Sequence, residues 1–250
     1  MPLEMSFLTS LNYWSVGHSG TKNATIANVM PTFILQKLTN LEYLRLSHDD
    51  FSGMIPSQVG LLTKLTDFRI WGLSLSGTVP TEIGSLTQLK ALGFDDNILT
   101  GPIPSQMGAL TNLELIDFHG NTLTGRLPSQ LALLTRLQVL DLMSNKLSGQ
   151  LPSQIGLMTK LQALQLNENL LTGSIPVELV AANTSMPRSI RVTGNTQLSG
   201  TVPSDLCIWN QMPGCDFEVP LMVWDRPSAI ACSMDFDCTG SLCGCDCPCS

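Results

Sequence analysis

Six glycines recur at a constant interval of 24 residues, and each is followed three residues later by a proline. A fixed period of this length is typical of a solenoid, in which each repeat packs only against its neighbours. The spacing therefore predicts one elongated stack of similar units. The glycines are Gly53, Gly77, Gly101, Gly125, Gly149 and Gly173, and the prolines are Pro56, Pro80, Pro104, Pro128, Pro152 and Pro176.

Each unit combines a short strand with a polar turn residue. Leu140 and Leu142 alternate with Asp141, which is the spacing of a strand that turns its leucines inward. Asn145 follows, and an inward amide can bond to backbone groups that a turn leaves unpaired. Its equivalents Asn97, Asn121 and Asn169 predict an asparagine ladder along the stack. The ladder is expected to weaken toward the N-terminus, where Asp49 and Leu73 take that position.

The remaining positions of the unit have equally direct roles. Leu147, Leu151 and Ile155 are expected to fill the interior, because no unit covers its own apolar face. Gly149 permits a backbone conformation that costs other residues more. Pro152 fixes φ where no amide donor is needed.

This repeat sequence closely resembles the plant-type class of leucine-rich repeats, whose consensus contains Leu-Ser/Thr-Gly-x-Ile-Pro. The motif occurs in this chain as Leu75-Ser-Gly-Thr-Val-Pro80 and Leu99-Thr-Gly-Pro-Ile-Pro104, among others. The resemblance covers residues 38–206 strongly and residues 1–37 weakly. It implies an α/β solenoid, a right-handed superhelical horseshoe with 24-residue repeats, and an extracellular ligand-binding role like that of receptor ectodomains and secreted polygalacturonase-inhibitor-like proteins.

Both ends of the repeat region depart from the period. Trp14 and Val16 align with Phe68 and Ile70, so the chain opens partway through a repeat and a truncated chain is expected. We assign residues 1–37 to a degenerate N-terminal repeat with an insertion, residues 38–206 to the repeats, and residues 207–250 to a cysteine-rich cap. The last glycine step is 27 residues, which places three extra residues in or near 180–188.

All eight cysteines follow residue 206. An even number confined to one end predicts a disulfide-stapled cap whose pairing stays open. A metal cluster is the alternative, although no Cys-x-x-Cys pair or nearby histidine supports it. The tail is similar to the cysteine clusters that end diatom leucine-rich repeat proteins. The cysteines are Cys207, Cys215, Cys232, Cys238, Cys243, Cys245, Cys247 and Cys249.

Charge and composition exclude several classes of function. A net charge of −7 disfavours nucleic acid as a partner. No stretch is apolar for long enough to cross a bilayer, and kinase motifs are absent. Two glycosylation sequons, at Asn23 and Asn183, fall in the irregular insertions and favour secretion or the extracellular face of the plasma membrane.

The outward positions of the strands predict the binding surface, since they line the concave side of such a solenoid. Aromatic and arginine side chains toward the N-terminal end are typical of interface hot spots, and an acidic group lies beside them. The candidate residues are Tyr43, Arg45, Arg69, Trp71, Asp95, Asp96, Asp117, His119, Asp141, Met143, Gln165 and Asn167. We assign no catalytic residue, metal or cofactor.

Two further features have alternative interpretations. His119 lies among Asp95, Asp117 and Asp141, where its pKa is expected to rise, and a solvated histidine is favoured over a base or metal ligand. One threonine per unit, at Thr63, Thr87, Thr111, Thr135 and Thr159, makes a row on the convex side. These hydroxyls are expected to cap helical turns, and contact with a periodic solid such as ice is the alternative.

The sequence thus predicts a non-enzymatic extracellular module that binds a protein, peptide or glycan, with a co-receptor as a further partner. One alternative is a structural, adhesive or ice-contacting repeat protein. Another is the ectodomain fragment of a receptor-like kinase.

Overall fold

The computed structural model describes residues 11–16, 35–47, 52–181, 189–199 and 216–218 of the 250-residue chain. Nine of the described strands form one parallel sheet with one strand per repeat. In sheet order these strands are β1 (Tyr13–Val16), β2 (Tyr43–Ser47), β4 (Asp67–Trp71), β6 (Ala91–Gly93), β8 (Leu115–Asp117), β10 (Val139–Asp141), β12 (Ala163–Gln165), β14 (Ser189–Arg191) and β16 (Asp216–Glu218).

A second set of short parallel strands runs along one flank of the stack, after each buried asparagine position. Five of these strands form one sheet and the other two form a separate pair. They are β7 (Thr100–Gly101), β9 (Thr122–Gly125), β11 (Lys146–Gln150), β13 (Leu170–Gly173) and β15 (Gln197–Leu198), and β3 (Ser52–Met54) with β5 (Ser74–Ser76).

The convex side carries one helical turn per repeat. Each 3-10 helix starts after a proline whose φ lies near −70°, and the i→i+3 bond from Ile155 N–H to the Pro152 carbonyl is 3.0 Å long. The 3-10 helices are Ser57–Leu61, Thr81–Ser85, Ser105–Ala109, Ser129–Leu133 and Ser153–Leu157, followed by the four-residue α-helix α1 (Glu178–Ala181).

The strands, flank and helices enclose one continuous apolar core that extends from Leu35 to Leu198. Leu140 and Leu142 are fully buried on either side of half-buried Asp141, as the alternation predicts. In the centre, Phe68 packs edge-on against Phe94 and Phe94 stacks on Phe118, with ring centroids 5.0 and 5.1 Å apart. The parallel sheets, the single core and the convex helices confirm the predicted solenoid.

The alignment of the chain's first strand is confirmed. Trp14 pairs in register with Leu44, which pairs with Phe68, and Val16 reaches Ile70 through Leu46 in the same way. Trp14 is half-buried against the core. The segment Tyr13–Val16 is therefore a repeat strand.

The predicted asparagine ladder is confirmed, and it is longer than expected. Asn145 Oδ1 accepts a hydrogen bond from Leu123 N–H at 3.0 Å in the preceding repeat. Its Nδ2 donates to the carbonyl groups of Phe118, Leu142 and Met143 at 2.9 to 3.2 Å. Asn97, Asn121 and Asn169 bond in the same pattern, and so does Asn195, which the sequence analysis missed. Leu73 is buried at the position that lacks the amide.

Asn195 was missed because the three extra residues are divided between two places. Leu164 pairs with Ile190, a step of 26 residues, so two extra residues precede β14. Asn195 is separated from Leu198 by two residues, whereas Asn169 is separated from Leu171 by one. The third extra residue therefore lies between Asn195 and Leu198. The prediction that all three lie in or near 180–188 was therefore partly wrong.

The predicted role of the convex threonines was also wrong. Thr63 and its equivalents lie two residues beyond the end of each 3-10 helix, and their side chains are exposed. No hydrogen bond joins their hydroxyl groups to another described residue, so they do not cap the helical turns.

Candidate functional site

The parallel register aligns the outward strand residues in columns across the concave face. Tyr43 pairs with Asp67, Arg45 with Arg69 and Ser47 with Trp71. Further along, Gly93 pairs with Asp117, Asp117 with Asp141, and Asp141 with Gln165. The candidate residues on these strands therefore lie in register across the concave face. Most of the candidate side chains are half-buried, and Tyr43 and Asp96 are exposed.

One column has an unusual backbone. The residue before each ladder asparagine has φ between +50° and +76°, the left-handed region that favours glycine. Glycine occupies some of these positions, but Asp96, Ser144 and Glu168 adopt the same conformation with a side chain. The chain turns sharply there from the concave strand toward the buried amide, so these three side chains mark the edge of the concave face.

The N-terminal part of the concave face is a tyrosine–arginine patch, made of Tyr13, Tyr43, Arg45, Arg69 and Trp71. The rings of Tyr13 and Tyr43 are tilted against each other with centroids 5.9 Å apart. They are 49% and 37% exposed. Tyr13 was not among the predicted residues, although its alignment with Tyr43 follows from the match of Trp14 to Phe68.

Both arginines of this patch are held by one buried carboxylate that the sequence analysis left out of the site. Arg45 donates from Nε to Asp67 Oδ1 at 3.1 Å and from Nη2 to Oδ2. Arg69 Nε lies 3.3 Å from the same Oδ1, so Arg69 is ion-paired with Asp67 but not hydrogen-bonded to it. The hydrogen bonds to Asp67 raise the pKa of Arg45 above its ordinary value. The patch therefore carries less net positive charge than the arginines alone suggest, and the Arg45 guanidinium is fixed in place.

The centre of the concave face is a carboxylate cluster, made of Asp95, Asp96, Asp117 and Asp141 around His119. His119 Nδ1 lies 2.7 Å from Asp117 Oδ1, and Nε2 lies 3.7 Å from Asp96 Oδ2. Asp117 Oδ1 also accepts a bond from the His119 backbone N–H at 3.3 Å. His119 is therefore partly solvated and bonded to Asp117.

The negative charges in this cluster, together with burial, shift the pKa values of its side chains. Burial raises the pKa of Asp95, and the charge of Asp117 raises it further. Burial also raises the pKa of Asp141, against the opposing effect of its hydrogen bond from Met143 N–H. Burial lowers the pKa of His119, but the hydrogen bond and charge of Asp117, with the charges of Asp141 and Asp95, raise it overall. The centre of the concave face thus has an excess of negative charge.

The C-terminal part of the concave face is polar. Met143, Gln165 and Asn167 are half-buried there, and Arg191 of β14 aligns with Gln165 in the next repeat. The charge of Arg191 partly offsets the shift in the pKa of Asp141. Sequence reasoning missed Arg191 because the irregular last step removed it from the columns.

Among the described residues, Asp95, Asp117 and His119 bring three potential metal-ligand atoms within 4.8 Å of one another. The predicted cysteine pairs and the sequons Asn23 and Asn183 lie outside the described residues. None of the described helices has the length and apolar character that a membrane crossing requires.

Comparison with known proteins supports the leucine-rich repeat assignment. The family model described as Leucine Rich Repeat matches residues 136–158. The chain is similar to a TDR receptor, with 37% identity over 72% of the chain and a TM-score of 0.67. It is also similar to the Arabidopsis receptor kinase HAESA, solved with the peptide hormone IDA and the co-receptor SERK1, with 33% identity over 71% of the chain and a TM-score of 0.66. The matched region spans 30% of each of these two receptors.

A plant ice-binding protein shares the fold, with 22% identity, a TM-score of 0.52 and 72% of each chain covered. No curated protein matches the chain significantly. The parallel concave sheet, the asparagine ladder and the convex 3-10 helices define a leucine-rich repeat solenoid. Together with the Leu-Ser/Thr-Gly-x-Ile-Pro spelling and the receptor structures, they identify the chain as a leucine-rich repeat protein of the plant type.

Proposed function

We propose that this chain is a non-enzymatic extracellular recognition module that binds a protein, peptide or glycan on its concave face, and that a peptide suits this face best. The observation that carries the proposal is the continuous concave surface from Tyr43 to Asn167. On it, aromatic and arginine side chains lie beside a cluster of carboxylates on one rigid sheet. The similar receptor kinase HAESA, solved with the peptide hormone IDA, supports the same kind of role.

The dimensions of the concave face suit an extended peptide. Neighbouring parallel strands are about 4.8 Å apart, so the six strands from β2 to β12 span roughly 24 Å. An extended chain covers that distance with about seven residues. Such a ligand would cross the solenoid from repeat to repeat and contact one or two side chains in each.

The distribution of charge along the concave face predicts which groups of the ligand bind at each end. The arginines of the tyrosine–arginine patch are paired with Asp67, which leaves the aromatic rings as the main apolar contacts at that end. The carboxylate cluster favours a cationic group over the central repeats. We therefore expect an aromatic or aliphatic residue of the ligand near Trp71 and a lysine or arginine near Asp117.

A catalytic role has little to support it on this face. His119 is the only described histidine, and its Nδ1 is engaged by Asp117. Acyl or phosphoryl transfer would need a nucleophile and donors for the developing negative charge, and carboxylates surround the imidazole instead. By analogy with HAESA and its co-receptor SERK1, a co-receptor is a second proposed partner.

The proposal is tested by selecting random peptides against the folded protein and measuring their affinity for two variants. Trp71→Ala removes an aromatic contact on the concave side, and we expect it to weaken binding by at least about tenfold. Thr135→Ala changes an exposed convex side chain and serves as the matched control. Equal effects of the two substitutions would overturn the concave assignment.

One observation favours a second candidate function. The exposed threonine row presents one hydroxyl per repeat at the spacing of the stack, and those hydroxyls bond to no other described residue. A regular row of this kind can match a periodic solid such as ice. The likeness to the plant ice-binding protein concerns the fold and does not itself indicate ice binding by this chain. Thermal hysteresis that falls in Thr111→Leu would support ice contact. An absence of thermal hysteresis in the unmodified protein would exclude it.

A further inference from the structure

The carboxylate cluster contains one group of atoms that converges more closely than the rest. His119 Nδ1 and Asp117 Oδ1 are 2.7 Å apart, and a carboxylate oxygen of Asp95 completes a set within 4.8 Å. All three side chains are half-buried, and they come from two neighbouring repeats of the same sheet. One imidazole nitrogen and two carboxylate oxygens form a donor set of the kind that binds divalent transition metals.

The spacing of these atoms suits a single ion. Zinc binds imidazole nitrogen and carboxylate oxygen at about 2.0 to 2.2 Å, so two ligands of one ion lie about 3 to 3.5 Å apart. The separation of 2.7 Å between Nδ1 and Oδ1 is close to that range, and Asp95 has only a short distance to move. A cation at this point would also offset the repulsion between Asp95 and Asp117.

The residue that pairs with Asp117 in the preceding repeat has no side chain. Gly93 precedes Asp95 by two residues and pairs in register with Asp117. A Cβ atom at Gly93 would lie 3.5 Å from Asp95 Oδ1 and 3.4 Å from Arg69 Cγ. The absent side chain therefore leaves no Cβ atom between Asp95 Oδ1 and the Arg69 side chain.

A further carboxylate is placed to orient the imidazole. Asp96 Oδ2 lies 3.7 Å from His119 Nε2, on the ring edge opposite Nδ1. A neutral histidine that binds a metal through Nδ1 carries its proton on Nε2, and a carboxylate beside that proton fixes the tautomer and makes the ring a better ligand. Asp96 is therefore in the position of an outer-sphere partner.

We propose that Asp95, Asp117 and His119 form a site for a divalent transition-metal ion of the zinc type on the concave face, with Asp96 orienting the histidine. The positions not filled by these three ligands face the concave groove, where water or a group of a bound partner can occupy them. The inference does not depend on the recognition role, because the site would bind the ion with or without a peptide.

The neighbouring repeat shows why the site is limited to this place. Asp141 Oδ1 accepts a hydrogen bond from Met143 N–H at 3.0 Å, as Asp117 does from His119 N–H. The local geometry is the same, but methionine offers no nitrogen ligand at this position. Asp117 and Asp141 without a histidine would suit only a weakly held oxygen-binding cation.

The test follows the imidazole signals of His119 by NMR during titration of the full chain with Zn²⁺, and separately with Ca²⁺. The His119→Gln variant assigns these signals, so that zinc bound by the cysteine-rich tail is not mistaken for this site. We expect a saturable change with Zn²⁺ but not with Ca²⁺. We also expect binding to be lost as the imidazole becomes protonated at lower pH.

Three variants make the test specific. Asp95→Asn removes a ligand and should abolish the saturable change, and Asp96→Asn should weaken the affinity about tenfold. Asp141→Asn, the matched control, removes a charge from the same column without removing a ligand and should change the affinity far less than Asp95→Asn. The proposal is overturned if Zn²⁺ leaves the His119 signals unchanged, or if Asp95→Asn binds as the unmodified protein does.

Discussion

The asparagine ladder and the carboxylate cluster cross the same central repeats. The ladder amides are buried and hydrogen-bonded to the backbone, whereas the carboxylates lie on the concave face beside one another. Asn121 and Asn145 are buried, and both ends of each amide are hydrogen-bonded to backbone groups. Asp117 and Asp141 lie on the concave side of the same rungs, where each carboxylate is next to another of the same charge.

The difference separates residues that stabilise the fold from residues available to a partner. Each ladder amide satisfies the turn groups of two adjacent repeats, which would otherwise be buried without partners. The carboxylates satisfy few groups and disfavour the folded state by mutual repulsion. A column that costs stability without supporting the solenoid is best explained by binding, to a cationic ligand group or to a metal ion.

The largest expected effect comes from breaking the ladder. Asn145→Ala leaves the Leu123 N–H and the Phe118 carbonyl without their buried partner, so we expect it to lower the free energy of unfolding by about 3 kcal/mol. Urea denaturation measures the change. Asn167→Ala alters a half-buried concave amide and should cost less than about 1 kcal/mol. Equal losses would show that burial of the amide is not what matters.

The next effect concerns Asp67, the concave carboxylate that is paired with arginine. Asp67→Asn removes the negative charge that holds Arg45 and Arg69, and we expect a loss of about 2 kcal/mol in the free energy of unfolding. The matched change at Arg45, Arg45→Gln, leaves the buried Asp67 carboxylate without its two hydrogen bonds and should cost a similar amount. A neutral or stabilising Asp67→Asn would remove the distinction between paired and crowded carboxylates.

Asp141→Asn is expected to have the opposite sign to Asp67→Asn. Since burial and the charge of Asp117 raise the pKa of Asp141, ionised Asp141 destabilises the fold above that pKa. The amide oxygen can still accept the bond from Met143 N–H. We expect a gain of less than about 1 kcal/mol at neutral pH.

This gain should disappear at about pH 3, below the pKa of the unfolded chain, where the carboxyl group is neutral in both states. Urea denaturation at the two pH values provides the measurement. A gain that persists at the lower pH would show that charge is not its source.

The smallest expected effect lies at the edge of the concave face. Ser144 has φ of +53°, a conformation that costs a residue with a side chain more than it costs glycine. Ser144→Gly should therefore raise the free energy of unfolding by roughly 0.5 kcal/mol, whereas Gly149→Ala, at φ +77°, should lower it. Destabilisation by Ser144→Gly would indicate that the serine side chain makes a contact that offsets this strain.

The 24-residue period made most of the fold predictable from the sequence. It placed the strands, the inward leucines, the glycines at positive φ and the concave columns, because each repeat imposes its register on the next. The prediction failed where the period slips. Asn195 and Arg191 were missed because the last step carries extra residues in two places.

Side-chain partners were harder to predict than positions. Asp67 stands in the column beside the arginines, but its burial and its bonds to Arg45 depend on side-chain directions that spacing does not specify. The engagement of His119 by Asp117 is a similar case. The threonine hydroxyls were misassigned because each 3-10 helix ends two residues before the threonine, a boundary set by the geometry of the turn.

The most direct test of concave recognition is an NMR titration of methyl-labelled methionines with a selected peptide. Met143 lies half-buried on the concave face, whereas Met54 is 62% exposed on the flank. Recognition on the concave face predicts that the Met143 methyl signal shifts as the peptide binds while the Met54 signal stays in place. A shift at Met54 with none at Met143 would place the binding surface elsewhere and contradict the proposed function.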